Sequence, residues 1–193
     1  GASVKKKYVS HITSEISFSG IVKSVWLPSL ISVFIVVLLF AFRKIAIYDL
    51  GFHLNAGRWI IENMAFPVKD VFTFTVNSHD YIDIQWLYQV LMFSVEKISG
   101  YTGLAVINSL TVLTVFYLML KRNNLSGVSL PVSIIFLIIT AVCIQLRFSY
   151  RPEIWTWIFI LIMLIILDKN FYSKKSRLYL LPVIMLFWVN MHG

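Results

Sequence analysis

The sequence predicts an all-α integral membrane protein of about five transmembrane helices, with its N-terminus inside and a large first extracytoplasmic loop that carries two juxtamembrane amphipathic helices. Three observations predict it. Of 193 residues, 59% are hydrophobic and 13% charged, roughly half the charge of an ordinary soluble domain, which excludes a water-soluble monomer. The apolar residues fall in runs close to the roughly 20 residues a helix needs to cross a bilayer core of about 30 Å. The cations collect between alternate runs. The 17 Lys and Arg against 9 Asp and Glu give a net charge of +8; in a membrane chain such an excess is a topology signal beside an anionic leaflet, so no nucleic-acid partner is needed to explain it.

The first run, Trp26 to Phe42, extends through Arg43-Lys44 to Tyr48 and has Pro28 near its start, where a missing amide is harmless. The second is Gly103 to Leu120, stopped by Lys121-Arg122-Asn123-Asn124, and the third is Val128 to Leu146 with Pro131 in its first turn. The fourth, Ile154 to Leu167, and the fifth, Leu178 to Val189, are shorter, and length alone allows each to be re-entrant or tilted. Lys5, Lys6, Lys7, Lys23, Lys121, Arg122, Lys169, Lys174, Lys175 and Arg177 flank the runs on one side, the side that stays in the cytoplasm of a multi-pass protein of the cytoplasmic (inner) membrane. Residues 48–102, the link Arg147 to Glu153 and the tail from Asn190 then face outward. Residues 1–25 form a basic cytoplasmic segment whose Ile12, Ile16, Ile21, Val22 and Val25 suit an interfacial helix. Gly1-Ala2-Ser3 is expected to be a cloning or protease scar. The one cysteine, Cys143, supports neither a disulfide framework within the chain nor a multi-cysteine metal site.

The outer loop holds six of the nine acids: Asp49, Glu62, Asp70, Asp80, Asp83 and Glu96. Within it, Leu50, Leu54, Gly57, Ile61 and Met64 share helical spacing while His53, Asn55, Arg58 and Glu62 take other faces, as in an interfacial helix. Pro67 and Asp70 end that helix, Val71 to Val76 alternates weakly like an extended stretch, and Asn77-Ser78-His79-Asp80 is a turn cluster. A second helix with Asp83 as N-cap runs along Ile84, Leu87, Leu91, Val95 and Ile98 and closes at Ser99-Gly100. Trp59, Tyr81, Trp86 and Tyr88 suit an interfacial aromatic belt.

Several strings then combine: Asp49-Leu-Gly-Phe-His53-Leu with Gly57-Arg-Trp-Ile, Pro67-Val-Lys-Asp70-Val-Phe-Thr-Phe-Thr75, Gln85-Trp86-Leu, Arg151-Pro152-Glu153, and Trp188-Val-Asn190-Met-His192-Gly193. In their order and topology they resemble the N-terminal part of a GT-C type membrane glycosyltransferase, similar to bacterial members related to protein mannosyltransferases and lipid A aminoarabinose transferases. The resemblance covers nearly the whole chain, as a membrane domain over 26–193. It implies an inside N-terminus, a large first external loop and a catalytic Asp just after the first span. Complete members have about twice as many spans or a further soluble domain, so the chain is expected to be a fragment or truncated product, its activity alone in doubt.

Transfer from a polyprenyl-linked donor needs a base for the acceptor hydroxyl and cations for the leaving phosphate. Asp49, where the first span leaves the bilayer, is the candidate base, its carboxyl expected to be partly desolvated and raised in pKa; a helix-end Asp that meets solvent or pairs with Arg43 or Lys44 is the plainer alternative. Asp83 is the second catalytic candidate. Arg147 and Arg151 suit a phosphate or simple snorkelling at headgroups, and Glu153 can pair with either; Arg58 is a weaker phosphate candidate. Asn190 and His192, at the outer end of the last span, could line the same cavity or merely bond loop backbone. Asp49 and His53, four apart, could hold a divalent cation with Asp83 as a third ligand, but a pair at that spacing is more often a hydrogen-bonded structural pair, and no metal is assigned. There is no Ser/His/Asp ordering, Gly-rich nucleotide loop or Walker-like string, which argues against direct use of cytosolic nucleotides. The partners expected are a polyprenyl-linked sugar donor, membrane lipid, and an extracytoplasmic glycan, lipid or protein acceptor. A non-catalytic scaffold or lipid-binding subunit of the same topology is the competing class, a transporter a distant third.

Overall fold

Residues 25–42, 48–72, 79–173 and 177–192 are described by a computed structural model, and among them every long element is helical. The helices are α1 (Val25–Ala41), α2 (Tyr48–Asn63), α3 (Trp86–Leu125), α4 (Leu130–Ile144), α5 (Glu153–Ser173) and α6 (Leu181–Met191), with 3-10 turns at Gln145–Arg147 and Leu178–Leu180. Three stretches are long and apolar enough to cross a membrane: Trp86–Leu125, Leu130–Arg147 and Glu153–Phe171. Three of the five expected spans thus coincide with helices of spanning length, while Val25–Ala41 and Leu178–Met191 are shorter apolar helices. The fourth run is longer than its apolar core suggested, because Asp168, Lys169 and Asn170 continue the helix to Ser173. The expected continuation of the first run through Arg43 to Ile47, the extended stretch at 73–76 and the N-terminal segment 1–24 lie outside the described residues.

Several hydroxyls inside these helices are satisfied by carbonyls one turn back, while Ser109 Oγ is buried without a partner. Ser29 and Ser32 donate to the carbonyls of Val25 and Pro28, and Thr111 and Thr114 to those of Ile107 and Leu110. Buried Asn108 donates weakly from Nδ2 to the carbonyls of Ala41 and Phe148, each at 3.4 Å, so that one mid-helix amide ties the end of α1 to the α4–α5 link. Around it Val37, Ala41, Val112, Phe116, Leu137, Phe148 and Ile154 form the largest buried cluster. Outward positions of α1, α4 and α6, such as Leu39, Phe136, Ile139 and Leu186, remain exposed and apolar, the surface a lipid environment would cover.

Gly100 divides α3. Its backbone (φ 61°, ψ −160°) is non-helical inside an otherwise continuous helix, a conformation open essentially to glycine alone. The helix ending expected at Ser99-Gly100 is thus a kink within one element, and the part before it packs along α2. That packing is close because Gly57 has no side chain: a Cβ there would lie 2.2 Å from the carbonyl oxygen of Gln89. The buried face of α2 is Leu50, His53, Ala56, Gly57 and Ile60, which corrects the expected stripe. His53 belongs to the buried side, its ring edge-on to Tyr88 at 5.1 Å, while Met64 is 88% exposed. Tyr88 is likewise a core residue, packed with Leu50, Met92 and Leu104, and not part of an aromatic belt.

Candidate active site

The beginning of α2, the residue before α3, the beginning of α5 and the end of α6 meet at one end of the helices. They line a cleft of about 340 Å³ whose walls include Asp49, His53, Gln85, Arg151, Glu153 and His192. Helix α2 already includes Asp49, so Asp49 and His53 share one face a turn apart.

An ion pair across the cleft joins Arg151 Nη2 to Asp49 Oδ2 at 2.9 Å. Both partners are about half-exposed, Asp49 at 53% and Arg151 at 45% of the side chain. The alternative partners Arg43 and Lys44 lie outside the described residues. Arg147 turns to Glu153 instead, at 3.4 Å, and does not line the cleft. The two arginines separate because Arg147 ends a 3-10 turn whereas Arg151 follows Phe148 and Tyr150, both of which bury their rings.

His53 is buried, and its Nδ1 has no hydrogen-bond partner. Burial pushes its imidazole below the ordinary 6.5; Asp49 nearby pulls it up in part, and Arg151 adds to the lowering. A neutral ring is therefore what the cleft wall presents. His192 is held differently: its Nδ1 lies 2.8 Å from the Thr156 hydroxyl, which accepts from Trp188 Nε1 at 3.1 Å. Thr156 and Trp188 orient the histidine by side chains from α5 and α6. Thr156 lies three residues after Glu153, on the same helical face, which is the signal by which sequence spacing could have marked it.

The remaining candidates lie elsewhere. Arg58 stands over the Phe93 ring at 5.5 Å, a cation–π contact on the α2–α3 surface. Asn190 accepts from Trp86 Nε1 at 2.6 Å, fastening α6 to the start of α3. Asp83 is not the N-cap of α3; that position is Gln85, without a side-chain cap. Asp83 Oδ1 instead accepts from the Gln85 amide at 3.0 Å and from Gln89 Nε2 at 3.2 Å, an Asx turn leading into the helix. Its Oδ2 is buried without a partner, and burial raises the carboxyl above the ordinary carboxylate range despite those two bonds. Asp83 lines a neighbouring cleft with Phe66, Tyr81 and Trp86, and the same burial pushes Tyr81 up to about 12. Before this turn, a short antiparallel bridge pairs Lys69 with Asp80, backbone and side chain alike.

Among the described residues no three His, Cys, Asp or Glu side chains converge as metal ligands, and Asp83 does not join Asp49 and His53. Gln85 and Phe52, which stand in the strings that carry the resemblance but have no site role there, also line the main cleft. Comparison with family models, with curated proteins and with solved structures finds no match.

Proposed function

We propose that the cleft is the acceptor and phosphate end of an inverting GT-C type glycosyltransferase, or of its N-terminal half, acting outside the cytoplasmic membrane on a polyprenyl phosphate or diphosphate sugar. The observation that supports this best is the pairing of Asp49 with Arg151 in one solvent-open cleft at the end of apolar helices. A carboxylate able to take the acceptor proton stands beside a guanidinium suited to phosphate. In the reaction, the acceptor oxygen attacks the anomeric carbon, its proton passes to Asp49, and the bond to the carrier phosphate breaks with inversion. Arg151 has five N–H donors and gives Nη2 to Asp49, which leaves others for the departing phosphate. His192, set by Thr156 and Trp188, borders the same space.

The test is transfer from labelled polyprenyl-phosphate sugars in membranes, with the Asp49→Asn protein checked for folding. Loss of a general base lowers turnover about 10²- to 10⁴-fold. Unchanged turnover removes Asp49 from the chemistry. Absence of transfer by the full-length protein with every sugar carrier offered favours the scaffold reading. Sidedness is checked by Asp80→Cys in a Cys143→Ser background: labelling from the cytosol alone overturns the outward placement.

A further inference from the structure

At the far end of α3 and α5 lies a second, larger groove of about 600 Å³. Leu104 of α3 packs with Leu50, Tyr150 and Met191, the chain neighbours of Asp49, Arg151 and His192 in the cleft, and Lys121 lies 17 residues further along the helix, about 26 Å at 1.5 Å per residue, so the groove opens close to one hydrocarbon thickness away from the cleft. Its apolar floor is Leu118, Ile165 and Ile166, each under one-tenth exposed. Its lining includes three cations, Lys121, Lys169 and Arg177, drawn from α3, α5 and the turn before α6, and no acid among the described residues. The adjacent acid, Asp168, is engaged by Arg122 at 2.8 Å. Lys121 Nζ also stands over the Tyr117 ring at 5.8 Å.

Apolar walls with cations at the mouth, placed where a bilayer core would end, match the two halves of one molecule. We infer that the groove binds a single anionic phospholipid, its phosphate held by Lys121, Lys169 and Arg177 and the start of an acyl chain against Leu118 and Ile165. Free phosphate shares the headgroup chemistry but leaves the apolar floor uncovered, and a zwitterionic lipid brings no net negative charge to a lining whose charged groups are all cations. The inference rests on the apolar character of α3 and α5 and not on the transferase reading, so either can fail alone.

The full chain in mild non-ionic detergent is mixed with phosphatidylglycerol, phosphatidylcholine or inorganic phosphate. Bound lipid is counted by native mass spectrometry, and melting is followed by tryptophan fluorescence. Phosphatidylglycerol is expected to be retained at least tenfold better than phosphatidylcholine and to raise the melting temperature. Each juxtamembrane cation is worth about fivefold in affinity, so Lys121→Gln/Lys169→Gln/Arg177→Gln reduces retention to the phosphatidylcholine level. A charge-matched control, Arg58→Gln/Lys69→Gln/Lys97→Gln, keeps the preference. Equal retention of the two lipids overturns the site, as does an equal loss in the control. Stabilisation by inorganic phosphate matching that by phosphatidylglycerol overturns the lipid assignment. Should the triple variant fail to fold, Lys121→Gln and Arg177→Gln singly decide: about fivefold weaker retention supports the site, and unchanged retention in both overturns it.

Discussion

Gly57→Ala and Gly51→Ala make the same chemical change on one helix with opposite expected results. Both glycines lie within α2, where alanine is favoured by about 0.5–1 kcal/mol through a smaller loss of backbone freedom. A Cβ on Gly51 meets nothing within 4 Å, so Gly51→Ala gains that amount. A Cβ on Gly57 meets Gln89 O at 2.2 Å, Gln89 C at 2.6 Å and Phe93 Cβ at 3.0 Å. Two of these atoms are backbone in α3 and cannot rotate aside, so the helices must part by about 1 Å to reach ordinary contact. Overpacking of this kind costs about 1–3 kcal/mol, which outweighs the alanine gain at the lower helix propensity and leaves Gly57→Ala net destabilising. The displacement reaches the cleft as well, because Asp49 and His53 ride on α2 two turns and one turn from Gly57. A shift of about 1 Å is enough to lower a positioned reaction about 100-fold. Thermal melting of both variants in one detergent, with the transfer assay alongside, measures each effect. A Gly57→Ala protein that melts at or above the Gly51→Ala protein would refute the close-approach argument.

Two further predictions concern pH. His53 titrates below its unfolded value, so the unfolded chain binds the proton more readily; stability present above pH 6.5 is lost as pH falls from there toward the lower folded value, and then levels off. Melting across that window is expected to flatten in His53→Phe, which keeps a ring against Tyr88, and an unchanged slope would assign the dependence to another group. The raised carboxyl of Asp83 has the opposite sign: stability is greatest below its unfolded value of 3.8 and is lost as pH rises through the folded value. Asp83→Asn, which keeps an oxygen for Gln85 and Gln89, should therefore melt higher than the unaltered chain at pH 7 and show no gain near pH 4; a lower melting temperature at pH 7 would contradict the buried, unpartnered Oδ2.

The long apolar helices were readable because hydrocarbon length and composition constrain them directly, and Gly100 was readable as a boundary because few other residues stop a helix so sharply. The inner face of α2 was not. Polarity assigned His53 to the outside, yet an imidazole edge packs against an aromatic ring as readily as an aliphatic chain does, and the contact with Tyr88 is long-range. Gly57 was placed on the apolar stripe without its reason, since only the approach of Gln89 shows that a missing side chain is the requirement. Arg147 and Arg151 could not be told apart by spacing, because the 3-10 turn and the two buried aromatics between them redirect the chain. Asp49 and Arg151 were each singled out, but their meeting depends on how α2 and α5 lie together. Thr156 shares a helical face with Glu153, which spacing could have marked, but its contacts with His192 and Trp188 depend on how α5 and α6 lie together.

The break at Gly100 also sets a compass bearing. In a continuous helix each residue turns the chain by about 100° and advances it about 1.5 Å, so one residue inserted between Gly100 and Asn108 would swing everything before it through more than a quarter circle. Trp86 would leave Asn190, and α2, carried along by its seat at Gly57, would turn Asp49 away from Arg151. The stretch from the kink to the buried amide of Asn108 thus works as an indexed coupling, in which the count of residues matters more than most of their identities.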